Sequence, residues 1–139
     1  RSGSGTLTDT TDGGYVVLAQ TTTATTVAAG TAVSSTVTLP SGSQIIDIKV
    51  DGTTAAVAGG GTATAIAVTV GSAAAGTQYM SSTDGIAGGR LSFAPTAAQT
   101  NAMADIGTNT TVYITVDPDG TISTTQGVFR LTVVYAQKG

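Results

Sequence analysis

A period of two near the C-terminal end constrains this chain more than any other feature. In TVYITVDPDGTISTTQGVFRLTVVY (residues 111–135), Val112, Ile114 and Val116 alternate with Tyr113 and Thr115, and Phe129, Leu131, Val133 and Tyr135 alternate with Val128, Arg130, Thr132 and Val134. Successive side chains of an extended strand point to opposite faces, so the spacing predicts two strands that each bury one face. Phe129, Leu131, Val133 and Tyr135 then belong to a core, while Arg130 and Thr132 face solvent. With Asp117-Pro118-Asp119-Gly120 as a reverse turn between the strands, the stretch reads as a β-ribbon to which the remaining strands are added.

Composition points the same way. Thr, Ala and Gly fill 69 of the 139 positions, charged residues are only 9%, and Glu is absent, so long exposed helices laced by Glu/Lys pairs are disfavoured and threonine-rich β-structure is favoured. Upstream strands are expected at Tyr15–Gln20 and from Val33 to Leu39, where Pro40 stops the chain. Another is expected at Ile45–Val50, with Ile46, Ile48 and Val50 facing in and Asp47 and Lys49 facing out, ended by an Asp51-Gly52 hairpin turn. Thr62–Val70 and Arg90–Ala94 complete the set, and the Thr/Ala segment 21–31 reads as either an extended edge or a loop. Residues 96–106 are the one helix-friendly place, with Pro95 and Thr96 at its start and Gly107 at its stop. Seven to eight short strands with turn signals about every ten residues predict an all-β domain over residues 15–139. Its architecture is a single β-sandwich, jelly-roll or immunoglobulin-like, with one short helical segment.

Arg1 to Gly14 carries one large apolar residue, Leu7, among Ser, Gly, Thr and Asp. Such a segment buries too little surface to offset its ordering entropy, and it reads as a flexible N-terminal arm, either one that orders on a partner or a disordered tail or linker. Its candidate partner contacts are Arg1, Leu7, Asp9 and Asp12, with Leu7 as the apolar anchor.

The chain has no His, Cys or Glu, which removes hydrolytic triads, thiol chemistry and most metal sites, so no catalytic, cofactor or metal residue is assigned and the protein is expected not to be an enzyme. Asp9, Asp12, Asp51, Asp84, Asp117 and Asp119 lie beside Gly, Thr or Ser, as turn and arm residues do. Asp117 and Asp119 share the D-x-D spacing of calcium loops but lack the bidentate Glu. Gly59-Gly60-Gly61 precedes a strand and has no Lys, so it reads as a turn rather than a phosphate cradle. A sugar-stacking platform would need surface aromatics, and Tyr79 is the one loop candidate. Net charge is −3, and the five basic residues, Arg1, Lys49, Arg90, Arg130 and Lys138, are scattered along the sequence, so nucleic acid is not an expected partner. No apolar run reaches the ~20 residues of a membrane span, and no targeting signal is visible at Arg1.

Four segments carry a resemblance: IIDIKVDG at 45–52, GGRLSFAPTAAQ at 88–99, IGTNTTVYITVDPDG at 106–120 and GVFRLTVVYAQKG at 127–139. They resemble the small Ala/Thr/Gly-rich virion structural proteins of tailed bacteriophages, of the capsid decoration or cement type. That resemblance implies a β-sandwich on the capsid exterior that reinforces the lattice, has a capsid or other virion protein as partner, forms a homo-oligomer, and uses no small-molecule substrate. It carries over no functional residue. The alternative expectation is a subunit of an extracellular surface filament or a cell-surface adhesin, with a sugar-binding module as a third reading.

Overall fold

The computed structural model describes residues 15–104 and 109–138, at Lys138 the backbone alone. In chain order the elements are β1 (Tyr15–Thr25), β2 (Val33–Leu39), β3 (Ser43–Thr54), β4 (Ile66–Gly71), β5 (Met80–Asp84), β6 (Gly89–Arg90), α1 (Ala97–Ala104), β7 (Thr110–Pro118) and β8 (Val128–Lys138). They form two antiparallel four-stranded sheets, ordered β1-β8-β3-β6 in sheet A and β2-β7-β4-β5 in sheet B. β1 pairs with β8, β2 with β7, β3 with β6, and β4 with β5. Each strand thus meets its counterpart counted from the other end, as if one long hairpin had been rolled up. Rolling brings β8 against β3 and β7 against β4, which is the strand order of a jelly roll.

The alternation explains the packing. Phe129, Leu131, Val133 and Tyr135 of β8 face Val112, Ile114 and Val116 of β7, Ile66, Val68 and Val70 of β4, and Ile48 and Val50 of β3 in one core. Each such side chain is fully or almost fully buried, and burial of one contributes about 1.5–3 kcal/mol.

Several local expectations are corrected. β7 and β8 are not a ribbon: they lie in different sheets. Pro118 extends β7 rather than turning it, and the Asp119 carboxylate accepts N–H bonds from Thr64 (2.7 Å) and Ala65 (3.1 Å) on the run leading into β4. Residues 119–127 then cross between sheets as a strap, its Ile122 buried and its Thr125 bridged to Val57. Asp51-Gly52 is no turn, because β3 runs through it to Thr54, and Gly52 lets the backbone of Gly88 approach: a Cβ there would lie 2.7 Å from the Gly88 Cα.

Ile46 does not face in. A bulge between Ile45 and Asp47 leaves Ile45 buried and Ile46 52% exposed, after which Ile48 and Val50 face in as expected. β4 begins at Ile66, since Asp119 occupies the backbone donors before it, and the strand expected at Arg90–Ala94 shrinks to Gly89–Arg90. The open question at residues 21–31 resolves as a strand through Thr25. Gly107 lies outside the described residues.

Candidate interaction surface

All four arm residues singled out in the sequence, Arg1, Leu7, Asp9 and Asp12, lie outside the described residues. Residues 1–14 precede Tyr15, the first residue of β1, which forms one edge of sheet A. An edge strand presents unpaired backbone donors and acceptors, and proteins ordinarily blunt such an edge with charge, Pro, bulges or brevity. Two of the four edges are blunted in this way: β6 has two residues, and β5 has five with a register shift. β1 has eleven residues with no charge and no Pro, and its register with β8 is unbroken.

The two halves of β1 differ. From Gln20 onward it is bridged to β2, the edge of the other sheet: Gln20 Nε2 donates to the Thr38 carbonyl (2.9 Å), and the Thr22 and Ser35 hydroxyls meet at 2.5 Å. Before Gln20 the edge runs past those contacts, with Tyr15 55%, Val16 38% and Val17 60% exposed. Beside it, Gln137, the register partner of Val16, is buried, and its Oε1 has no hydrogen-bond partner among the described residues. A buried acceptor without a donor is costly and uncommon.

Register places Tyr15, Val17, Ala19 and Val134 on the outer face of sheet A, and the bulged Ile46 lies alongside, giving an apolar upper half. The lower half is charged. Lys49, Arg90 and Arg130, scattered in sequence, converge there from β3, β6 and β8, and they are all the basic side chains among the described residues. Asp51 lies between two of them, its carboxylate accepting from Arg90 Nε and pairing with Arg130 at 3.7 Å, while Lys49 is 3.9 Å from Asp47. The Arg90 hydrogen bond above all, and then the charges of Arg90 and Arg130, hold the Asp51 carboxyl below its ordinary range. Three cations against two carboxylates leave this face positive in a chain of net charge −3. The outer face of sheet B has no basic side chain among its described residues and presents Ser34, Thr36, Thr38, Thr111, Tyr113 and Asp117.

Other sequence candidates come apart. Tyr79 is buried at 4% exposure, so it offers no ring to a sugar, and burial pushes its hydroxyl pKa up. Asp119 uses both carboxylate oxygens on Thr64 and Ala65, and the Thr64 hydroxyl bond (2.5 Å) leads the causes that lower its pKa. Among the described residues no three of His, Cys, Asp or Glu gather where they could hold a metal ion. No helix among them is long and apolar enough to cross a membrane. Gly59-Gly60-Gly61 is a turn whose last residue packs on the Thr121 backbone.

Sequence reasoning missed the convergence of the three cations, because it depends on β3, β6 and β8 being neighbours. The exposure of Ile46 did leave a signal: two adjacent isoleucines cannot both obey a period of two, so one faces out or the strand bulges. No family model, curated protein or solved structure matches the chain.

Proposed function

We propose that this chain is a non-enzymatic structural protein of a virion that decorates the exterior of a phage capsid and stabilises it. The observation that carries the reading is the exposed edge of sheet A. The end of β1 at Tyr15–Val17 is apolar, uncharged and unblunted, and it is where the arm begins. Such an edge accepts or continues a strand from a neighbouring subunit, with main-chain bonds supplying affinity and alternate side chains supplying register. Jelly rolls serve in viral capsid proteins and in lectins alike, so the fold by itself favours neither. The buried Tyr79 and the absence of Trp weigh against the sugar-binding use.

Backbone pairing gives modest affinity per copy, and a homo-oligomer that engages several capsid subunits at once raises its retention by effective concentration. The test is to mix the purified chain with phage heads lacking a decoration protein and to follow co-sedimentation and the temperature at which the heads release DNA. Binding with a raised release temperature supports the reading. A chain that leaves heads unbound but polymerises through β1 supports the surface-filament alternative.

A further inference from the structure

A groove of about 280 Å³ runs alongside β3, walled by Ile46, Phe93, Pro95 and Met103. The charged side chains at it, Asp47, Lys49 and Arg90, are already in ion pairs, Lys49 with Asp47 and Arg90 with Asp51, so the groove selects no ligand. The open edge of β1 is more specific. Antiparallel residues alternate between pairs that exchange backbone hydrogen bonds and pairs that do not. The Thr26 N–H donates to the Gly127 carbonyl at 3.0 Å, continuing the register that β1 keeps with β8 along its whole length. Even-numbered residues of β1 therefore bond to β8, and the N–H and C=O groups of Tyr15, Val17 and Ala19 point to the open edge. Gln20 and Thr22 tie the strand to β2 beyond that point, which leaves residues 15–19 free to pair.

We infer that residues 15–19 pair antiparallel with the same residues of a second copy of this chain, about a two-fold axis at Val17. A two-fold interface must be self-complementary, and this one is. Val17 meets the partner's Val17 and Tyr15 meets the partner's Ala19, each pair exchanging both backbone bonds, while Val16 stands opposite the partner's Leu18. Every cross-strand pair is apolar, and the large Tyr15 stands opposite a small residue rather than another ring. No charge, Pro or bulge in these residues opposes the pairing. The axis also keeps the positive ends apart. Thr23, the register partner of Arg130, lies six residues beyond Val17, so the two copies hold their Arg130 side chains about 40 Å apart, several screening lengths. A parallel pairing in the same place would bring them to about 14 Å. Joined in this way, the two sheets A set the apolar upper halves of their outer faces side by side.

This deepens the proposed function, on which it rests in one respect: the edge offered to a capsid is covered by a second copy in solution, and the particle must displace that copy. Sedimentation velocity of the full chain over a range of concentrations tests the dimer, together with hydrogen exchange at the amides of Tyr15, Val17 and Ala19. The expected result is a dimer that grows no further, with protection of those amides rising with protein concentration. Val17→Lys, at an exposed position, sets two ammonium groups against each other at the axis and should weaken the dimer at least about tenfold without lowering the thermal midpoint. Mixing Val17→Lys with Val17→Asp should restore a dimer of one copy of each, and Thr23→Lys, outside the paired residues, should leave the original dimer unchanged. A monomer at every concentration overturns the inference, as does a dimer indifferent to Val17→Lys or an open series of larger species. No particle is present in this assay, so its failure leaves capsid binding standing, and failure to bind heads leaves the dimer standing.

Discussion

Thr96 and Gln99 cap the helix α1 reciprocally: the Thr96 N–H donates to Gln99 Oε1 at 2.9 Å, and the Gln99 N–H donates to Thr96 Oγ1 at 3.2 Å. This capping box satisfies one backbone donor at the helix N-terminus as well as the N–H of Thr96. Gln99 does more, since its Nε2 reaches the Thr77 carbonyl at 2.9 Å and Ser81 Oγ at 3.0 Å, pinning the helix to the start of β5. The pinned helix places Met103 at the groove.

Gln99→Ala removes the acceptor for the Thr96 N–H and leaves the Thr77 carbonyl without this donor, so it should cost about 1–3 kcal/mol in urea melts. Asn101→Ala, at an exposed site on the same helix, should change stability by less than about 0.5 kcal/mol. Equal small effects at both positions would mean that the helix is not anchored through Gln99.

Leu131→Ala empties a fully buried site on β8 and should destabilise the domain by roughly 2–5 kcal/mol. Thr132→Ala, on the opposite face, should cost well under that. Denaturant midpoints giving equal losses would contradict the register of β8 with β1 and β3.

Gly52→Ala tests the correction at the end of β3. An added methyl group meets the Gly88 backbone, and the strands must separate at a cost of about 1–3 kcal/mol, read from the thermal midpoint. If Asp51-Gly52 were an open turn, the substitution would be nearly silent.

Asp51 and Asp119 both hold folded-state pKa values below the ordinary 3.8, the first chiefly through Arg90 and the second chiefly through Thr64. A lowered folded pKa gives stability that is fully present above the unfolded value and is lost as pH falls through the folded one. Stability should therefore be flat in these groups at neutral pH and decline below about pH 4, with a shallower decline for Asp51→Asn. An acid limb unaltered by that substitution would remove the Arg90 pair from the account.

The sheet faces were legible because burial enforces a period of two, and Phe129, Leu131, Val133 and Tyr135 obey it over a whole strand. Pairing was not. Asp117-Pro118-Asp119-Gly120 looks like a local turn, yet Asp119 bonds to residues 54 and 55 positions away, a choice made by tertiary contacts that no local pattern encodes. The interaction surface suffers from the same limit. Lys49, Arg90 and Arg130 become neighbours through the rolled topology, whereas the arm's composition is local and was readable directly.

We propose that the free edge at Tyr15–Val17, together with residues 1–14 before it, binds this protein to a capsid exterior. Electron microscopy of phage heads incubated with the chain tests it most directly, comparing the full chain with one lacking residues 1–14. The expected result is ordered jelly-roll density on the outer surface with the β1 edge against a neighbouring subunit, and its loss on truncation although the truncated domain melts at nearly the same temperature. Bare heads with the full chain, or equal density with and without residues 1–14, would contradict it.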